Sequence, residues 1–128
     1  MTNLNDLITI SKRIGTNLDL IQGAGGNTSF KDGEVLWVKA SGCRLGDAGV
    51  RDIFVPINYS SAINGLNCDE GQPITLEVQL MGGDTSLRPS IEASLHAIMP
   101  HRYVVHVHSV NTIANAVLQD GKIKVARL

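Results

Sequence analysis

The 128-residue chain predicts a single α/β domain of mixed helices and strands, and three observations carry that prediction. Leu4, Leu7, Ile8 and Ile14 recur at helical spacing and line one side of an N-terminal helix. Asp32-Gly33, set between residues 27–31 and 34–39, is the signature of a tight hairpin turn. The β-branched run 103–108 reads as a central strand lying between two helical stripes.

Each element then has its own reason. Asn3 is placed to cap the first helix, with Asp6 in its opening turn and Gly15 as its stop. After Leu18, Leu20 and Ile21 comes Gly23-Ala24-Gly25-Gly26, too rich in glycine for a helix or a strand. Val35, Trp37 and Val38 favour the second arm of the hairpin. Residues 52–57 read as a buried strand ended by Pro56, and the alternation of Ile74, Leu76, Val78 and Leu80 argues another strand, with a helix there as the alternative. Ser90 is placed to cap a helix whose apolar stripe is Ile91, Leu95 and Ile98 and which Pro100 ends. A second helix over 110–118, a turn at Asp120-Gly121 and a strand starting at 122–127 follow. With no repeat, linker or low-complexity tract, residues 1–128 are read as one domain. The absence of a partner for that last strand leads us to expect a fold incomplete at its C-terminus or completed by another chain.

Composition removes several function classes. A net charge of −1 with scattered Lys and Arg lacks the basic patch of a nucleic-acid binder. No apolar run approaches the roughly 20 residues that span a bilayer, and no basic segment precedes an apolar one at the N-terminus. Cys43 and Cys68 stand 25 apart without a pairing motif, which suits reduced thiols in the cytoplasm.

The chemistry concentrates in two places. On a strand, His106 and His108 project from the same face with roots about 6–7 Å apart, close enough for two neutral imidazoles to share one transition metal. Glu92 and His96 share a helical face in the preceding element, and the short connection packs that helix beside the strand. Glu92, His106 and His108 can therefore meet as a zinc set, with His96 as a fourth ligand or a partner behind the ligands; the plain alternative is an exposed Glu92–His96 pair. A cupin-type site is rejected because helical periodicity, not a barrel, follows the His-x-His. The glycine loop is followed by a hairpin rather than a helix, so it is no dinucleotide site. Its amides, joined by Asn27, Thr28 and Ser29, can still cradle an anion, with Ser41-Gly42 nearby at the hairpin's far end. As a rival, these glycines merely turn the chain.

Gly25-Gly26-Asn27-Thr28-Ser29, the hairpin, Val38-Lys39-Ala40-Ser41-Gly42, Arg88-Pro89-Ser90-Ile91-Glu92 and Val105-His106-Val107-His108-Ser109 occur in an order that resembles the class II aldolase/adducin family. The likeness is nearest to the N-terminal aldolase domains of bifunctional rhamnulose-phosphate aldolase/alcohol dehydrogenases. It implies a three-layer α/β/α sandwich around a largely antiparallel sheet, assembled as a homo-oligomer, a tetramer in the family. It implies Zn2+ or another divalent transition metal held by His106 and His108, with Glu92 as metal neighbour and acid/base. It implies further that Asn27, Ser29, Ser41, Gly42 and Ser90 hold the phosphate of a small phosphorylated sugar, cleaved in a retro-aldol reaction. The family's third zinc histidine falls beyond Leu128, Ala24 replaces a hydrophilic loop residue, and Ile91 replaces a polar residue that contacts phosphate. A sugar-phosphate epimerase shares the same parts. A module kept for assembly, or a bare anion binder, would keep the fold without the reaction.

Overall fold

The structure, a computed structural model, describes residues 4–64 and 86–126. Among them the chain runs α1 (Leu4–Gly15), β1 (Asn27–Asp32), β2 (Val35–Lys39), β3 (Phe54–Asn58), α2 (Tyr59–Asn64), α3 (Ala93–Ile98), β4 (Tyr103–His106), α4 (Val110–Ala116) and α5 (Gly121–Val125), with a 3₁₀ turn at Leu45–Asp47. The strands form one antiparallel sheet in the order β3-β2-β1-β4. The predicted strand over 74–80, the Asn3 cap and Cys68 lie outside the described residues.

Alternation along β1 explains the layering. Successive side chains of a strand point to opposite faces. Thr28 Oγ1 meets Ser11 Oγ of α1 at 2.7 Å, and the next residue, Ser29, meets His96 Nδ1 of α3 at 2.7 Å from the other side. The Ser11 hydroxyl donates to the Leu7 carbonyl at 2.6 Å, which leaves Thr28 as donor in the first contact. Helices therefore flank the sheet on both faces, giving the α/β/α sandwich. Its core gathers Leu36, Val38, Val55 and Ile57 from the sheet with Ala62 of α2 and Ala93 and Ala97 of α3, while Ile21, Leu45 and Ile53 close it from the loops.

Several expectations are corrected. The hairpin turn is Gly33-Glu34, one residue later than predicted, because Asp32 pairs with Val35. Gly33 carries the positive φ of 58° and among the described residues no non-glycine does, so glycine takes the first central position, as a II′ turn requires. Pro56 does not end its strand. It sits inside β3 opposite Trp37, where among the described residues β3 has no second ladder that would need the missing N–H.

In α3 the predicted apolar stripe faces outward: Ile91 is 86%, Leu95 45% and Ile98 55% exposed, while Ala93, Ser94, His96 and Ala97 are buried. Small side chains let this short helix approach the sheet closely. Ser90 does not cap it; Glu92 is the residue ahead of the first turn, and the Ser90 hydroxyl accepts from the Glu92 N–H at 3.3 Å.

Strand β4 ends at His106 and, among the described residues, lies last in the sheet order and pairs with β1 alone, where a central position was expected. The second helix, α4, is capped by Ser109 through the Thr112 N–H and ends at Ala116. The expected final strand is the helix α5. Among the described residues no strand lies there to pair with, and backbone groups are satisfied locally, as in Ile123 N–H to Asp120 O at 3.0 Å.

No helix of the described residues is long and apolar enough to cross a membrane. Leu36 is fully buried at the centre of the core. Leu36→Ala is expected to lower the unfolding free energy by about 2–5 kcal/mol, read by urea denaturation.

Candidate metal and anion site

The site is assembled at the end of β1 where the chain has just left the glycine loop. Asn27 lies opposite His106 in the β1–β4 ladder. That register places His106 at the last paired position of β4, and His108 follows in the loop. Glu92, immediately before α3, reaches across so that its Oε1 lies 2.6 Å from His106 Nδ1. The atoms are close, yet His106 Nδ1 makes no hydrogen bond. The pair is therefore a close contact between an imidazole nitrogen and a carboxylate oxygen whose angles are off those of an aligned hydrogen bond. The His106 and His108 rings stand edge to face with centroids 4.9 Å apart.

The glycine loop seals the other side. A side chain at Gly25 would lie 2.8 Å from His108 Nδ1, and one at Gly26 would lie 2.9 Å from the His106 carbonyl. These glycines are there because the loop backbone runs directly against the His-x-His segment. The His108 N–H donates to Leu20 O at 2.8 Å, which ties that segment to the run before the loop.

His96 is placed differently. It is fully buried, with Nδ1 on Ser29 Oγ and Nε2 without a partner. Burial is the main cause that pulls its pKa down to about 4, against the opposing pull of Glu92. The imidazole is therefore neutral and holds Ser29 from below the sheet.

Of the expected anion-binding residues, Asn27 is fully buried with both ends of its carboxamide unbonded, an arrangement that suits a polar ligand. Ser90 is nearly buried and bonded to the Glu92 backbone. Ser41 and Gly42 are exposed, on the turn that follows β2. Among the described residues, no three His, Cys, Asp or Glu side chains gather into a ready metal cage. The structure joins Glu92 to His106 and His106 to His108. The donor types, one carboxylate and two imidazoles, fit zinc, and the unbonded His106 Nδ1 beside a carboxylate oxygen is the observation that supports the fit.

Lys39 was not among the candidates, because a lysine in a strand reads as a solvated residue. It is 3% exposed. Its ammonium donates to the carbonyls of Cys43 at 2.8 Å, Ala24 at 3.1 Å and Ala40 at 3.3 Å. Burial lowers its pKa, with Cys43 and Glu92 acting the other way. Its position beside Ala40-Ser41-Gly42 was the one available signal.

An antiparallel sandwich whose first hairpin follows a glycine loop, with Glu and His-x-His gathered at one strand end, defines an aldolase-type domain. Residues 5–127 match the Class II Aldolase and Adducin N-terminal domain family, and the chain belongs to it. It is similar to YuxG of Bacillus subtilis strain 168, named an uncharacterized oxidoreductase, with 29% identity over 93% of this chain and 19% of that protein. It is also similar to the N-terminal class II aldolase domain of a conserved protein from Thermoplasma acidophilum, whose solved structure superposes with a TM-score of 0.79. That match is 27% identical and covers 98% of this chain and 64% of the other. The chain thus spans about a fifth of the Bacillus relative and under two thirds of the archaeal chain.

Two outcomes follow. Gly25→Ala is expected to displace the His108 imidazole, seen as shifted His108 ring resonances with little change in those of His96. For His96, the neutral form is favoured on folding, so stability is fully present above the unfolded pKa near 6.5 and declines as pH falls towards 4. The whole span is worth of order 3 kcal/mol, and His96→Gln is expected to flatten this part of the curve of denaturation midpoint against pH.

Proposed function

We propose that this domain is a metal-dependent aldolase-type lyase for a small phosphorylated sugar, cleaving a ketose phosphate by a retro-aldol reaction. The observation that carries the reading is the convergence of Glu92 Oε1 on an unbonded His106 Nδ1, with the His108 ring alongside. His106 and His108 hold the cation in this reading, with His96 behind Ser29 rather than on the metal. Zinc, when bound, supplies the Lewis acidity that stabilises negative charge on the substrate's carbonyl oxygen as the carbon–carbon bond breaks. Glu92 moves the proton: its Oε1 takes the hydroxyl proton from the cleaved side and returns one to the carbon left behind. Ser90 fixes the Glu92 backbone, so the carboxylate meets the substrate in one orientation. Asn27, Ser29, Ser41, Gly42 and Ser90 form the phosphate end, which holds the reacting carbons in register with the carboxylate. The protein works in the cytoplasm as a homo-oligomer in this reading.

A second reading is a non-catalytic module that keeps the fold for assembly or sugar-phosphate binding. It is favoured by the lack of a three-residue metal cage among the described residues. An epimerase acting on the same class of substrate would use the same carboxylate.

Zinc content and retro-aldol turnover, measured before and after substitution, separate these readings. Glu92→Gln is expected to retain zinc and lose roughly 10²–10⁴-fold in turnover, the usual worth of a positioned acid/base. Turnover that survives Glu92→Gln removes the assigned role, and a wild-type protein without zinc at neutral pH favours the module. His106→Ala is expected to lose the metal, read by elemental analysis.

A further inference from the structure

We propose that the outer edge of β4, with the apolar face of α4 and α5 beside it, is an interface on which a second copy of this chain docks. The two β4 strands pair antiparallel about a two-fold axis at Val105. This goes beyond the homo-oligomer of the reading above by naming the contact, and the face takes no part in the proposed chemistry.

The ladder shows where the open edge lies. In an antiparallel pair, opposite residues alternate between exchanging both backbone bonds and exchanging none. Lys31 N–H donates to Arg102 O at 2.8 Å, and the same register sets Ser29 opposite Val104 and Asn27 opposite His106. Arg102, Val104 and His106 therefore turn their backbone groups to β1, and Val105 turns its N–H and C=O away from it. Among the described residues β4 lies last in the sheet, and neither of those Val105 groups has a backbone partner. A two-fold axis at this point lets each Val105 N–H donate to the other copy's carbonyl.

An apolar surface continues from that edge. Val105 lies opposite Thr28, whose hydroxyl meets α1, so its side chain is on the α1 side of the sheet, and it is 45% exposed. Helix α4 begins beside the residues that follow α1, with its Val110 N–H on Asp19 O at 2.9 Å. It buries none of its side chains. Val110, Ile113, Val117 and Leu118, with Ile123 of α5, are each at least 44% exposed. Large apolar residues gathered in water mark a contact surface.

Charge decides what covers it. Between Arg102 and Asp120 the chain has no Asp, Glu, Lys or Arg. Open sheet edges are ordinarily guarded by a charge or a proline, and Tyr103-Val104-Val105-His106 has neither. A partner carrying charged side chains would have to strip them of water here with no countercharge to meet them. A second copy brings the same uncharged strand and helices, so no like charges are opposed, and the two-fold matches donor to acceptor.

The test is sedimentation velocity on the full chain over a dilution series, with hydrogen exchange of the Val105 amide on the same samples, all without metal or substrate. The wild type is expected to be at least a dimer at about 100 μM, with the Val105 amide protected, and to lose both on dilution. Val105→Lys sets two ammonium groups against each other across the axis, and Ile113→Lys charges the helical side. Each is expected to weaken association about tenfold or more. Both positions are exposed in one copy, so Trp37 emission should stay that of a folded chain, and either variant serves if the other does not fold. Val50→Lys, 79% exposed beside β3 at the other end of the sheet order, should leave association unchanged.

A wild type that is monomeric at that concentration overturns the proposal and leaves the edge to a different polypeptide. Association that both lysine variants leave intact overturns it too, as does a dimer whose Val105 amide exchanges as fast as the monomer's. None of these readouts involves zinc or turnover, so a failed lyase reading shows separately in the Glu92→Gln and zinc measurements.

Discussion

Two hydroxyl contacts on one strand organise this domain. Thr28 and Ser29 are neighbours in β1, and each is tied to a different helix, one above the sheet and one below. Both pairs are fully buried, so each group that loses its partner leaves an unsatisfied polar atom in the core. Such contacts fix the register of helix against strand more sharply than apolar packing does, since hydrogen bonds have direction and methyl groups do not. Once α3 is held by His96 on Ser29, Glu92 is delivered one turn earlier to the end of β4. The candidate site is a consequence of that register.

The site combines rigid and adaptable parts. Below the sheet, a neutral imidazole and a serine are locked together. At the strand end, Glu92 and His106 are part-exposed, with side chains 27% and 37% accessible, which suits groups that must meet a ligand. The loops that frame them are held by backbone bonds to a buried ammonium. Precision near the reacting atoms comes from groups that do not themselves react.

The elements of the fold were largely readable from periodicity and punctuation. The N-terminal helix, the hairpin and the strand carrying His106 follow from the spacing of Leu4 to Ile14, from Asp32-Gly33, and from the run before His108. What escaped depended on contacts between segments. Ile91, Leu95 and Ile98 form a regular stripe, yet α3 turns its small residues inward because close approach to the sheet outweighs the area of the larger side chains. Residues 122–127 have strand-forming composition, but over Gly121–Val125 the chain is helical, and among the described residues no strand lies there to pair with. For the site, Glu92 and His106 were legible through helix and strand geometry. Lys39 was not, since a lysine in a strand reads as solvated and nothing along the chain announces that the turn after β2 will fold its carbonyls back over the ammonium while the Ala24 carbonyl closes from the glycine loop.

The tight approach of the glycine loop to the His-x-His segment has a consequence for how this domain can vary. Positions 25 and 108 occupy a single volume, so neither can be chosen independently. A side chain at 25 also meets the Gln22 carbonyl at 2.9 Å, so giving up the ring at 108 relieves only part of the crowding. Substitutions at the two positions should therefore be non-additive, the damage of one partly relieved by shortening the other. Any redesign of the metal end must move both together, treating loop and imidazole as one shape rather than as a scaffold and a ligand.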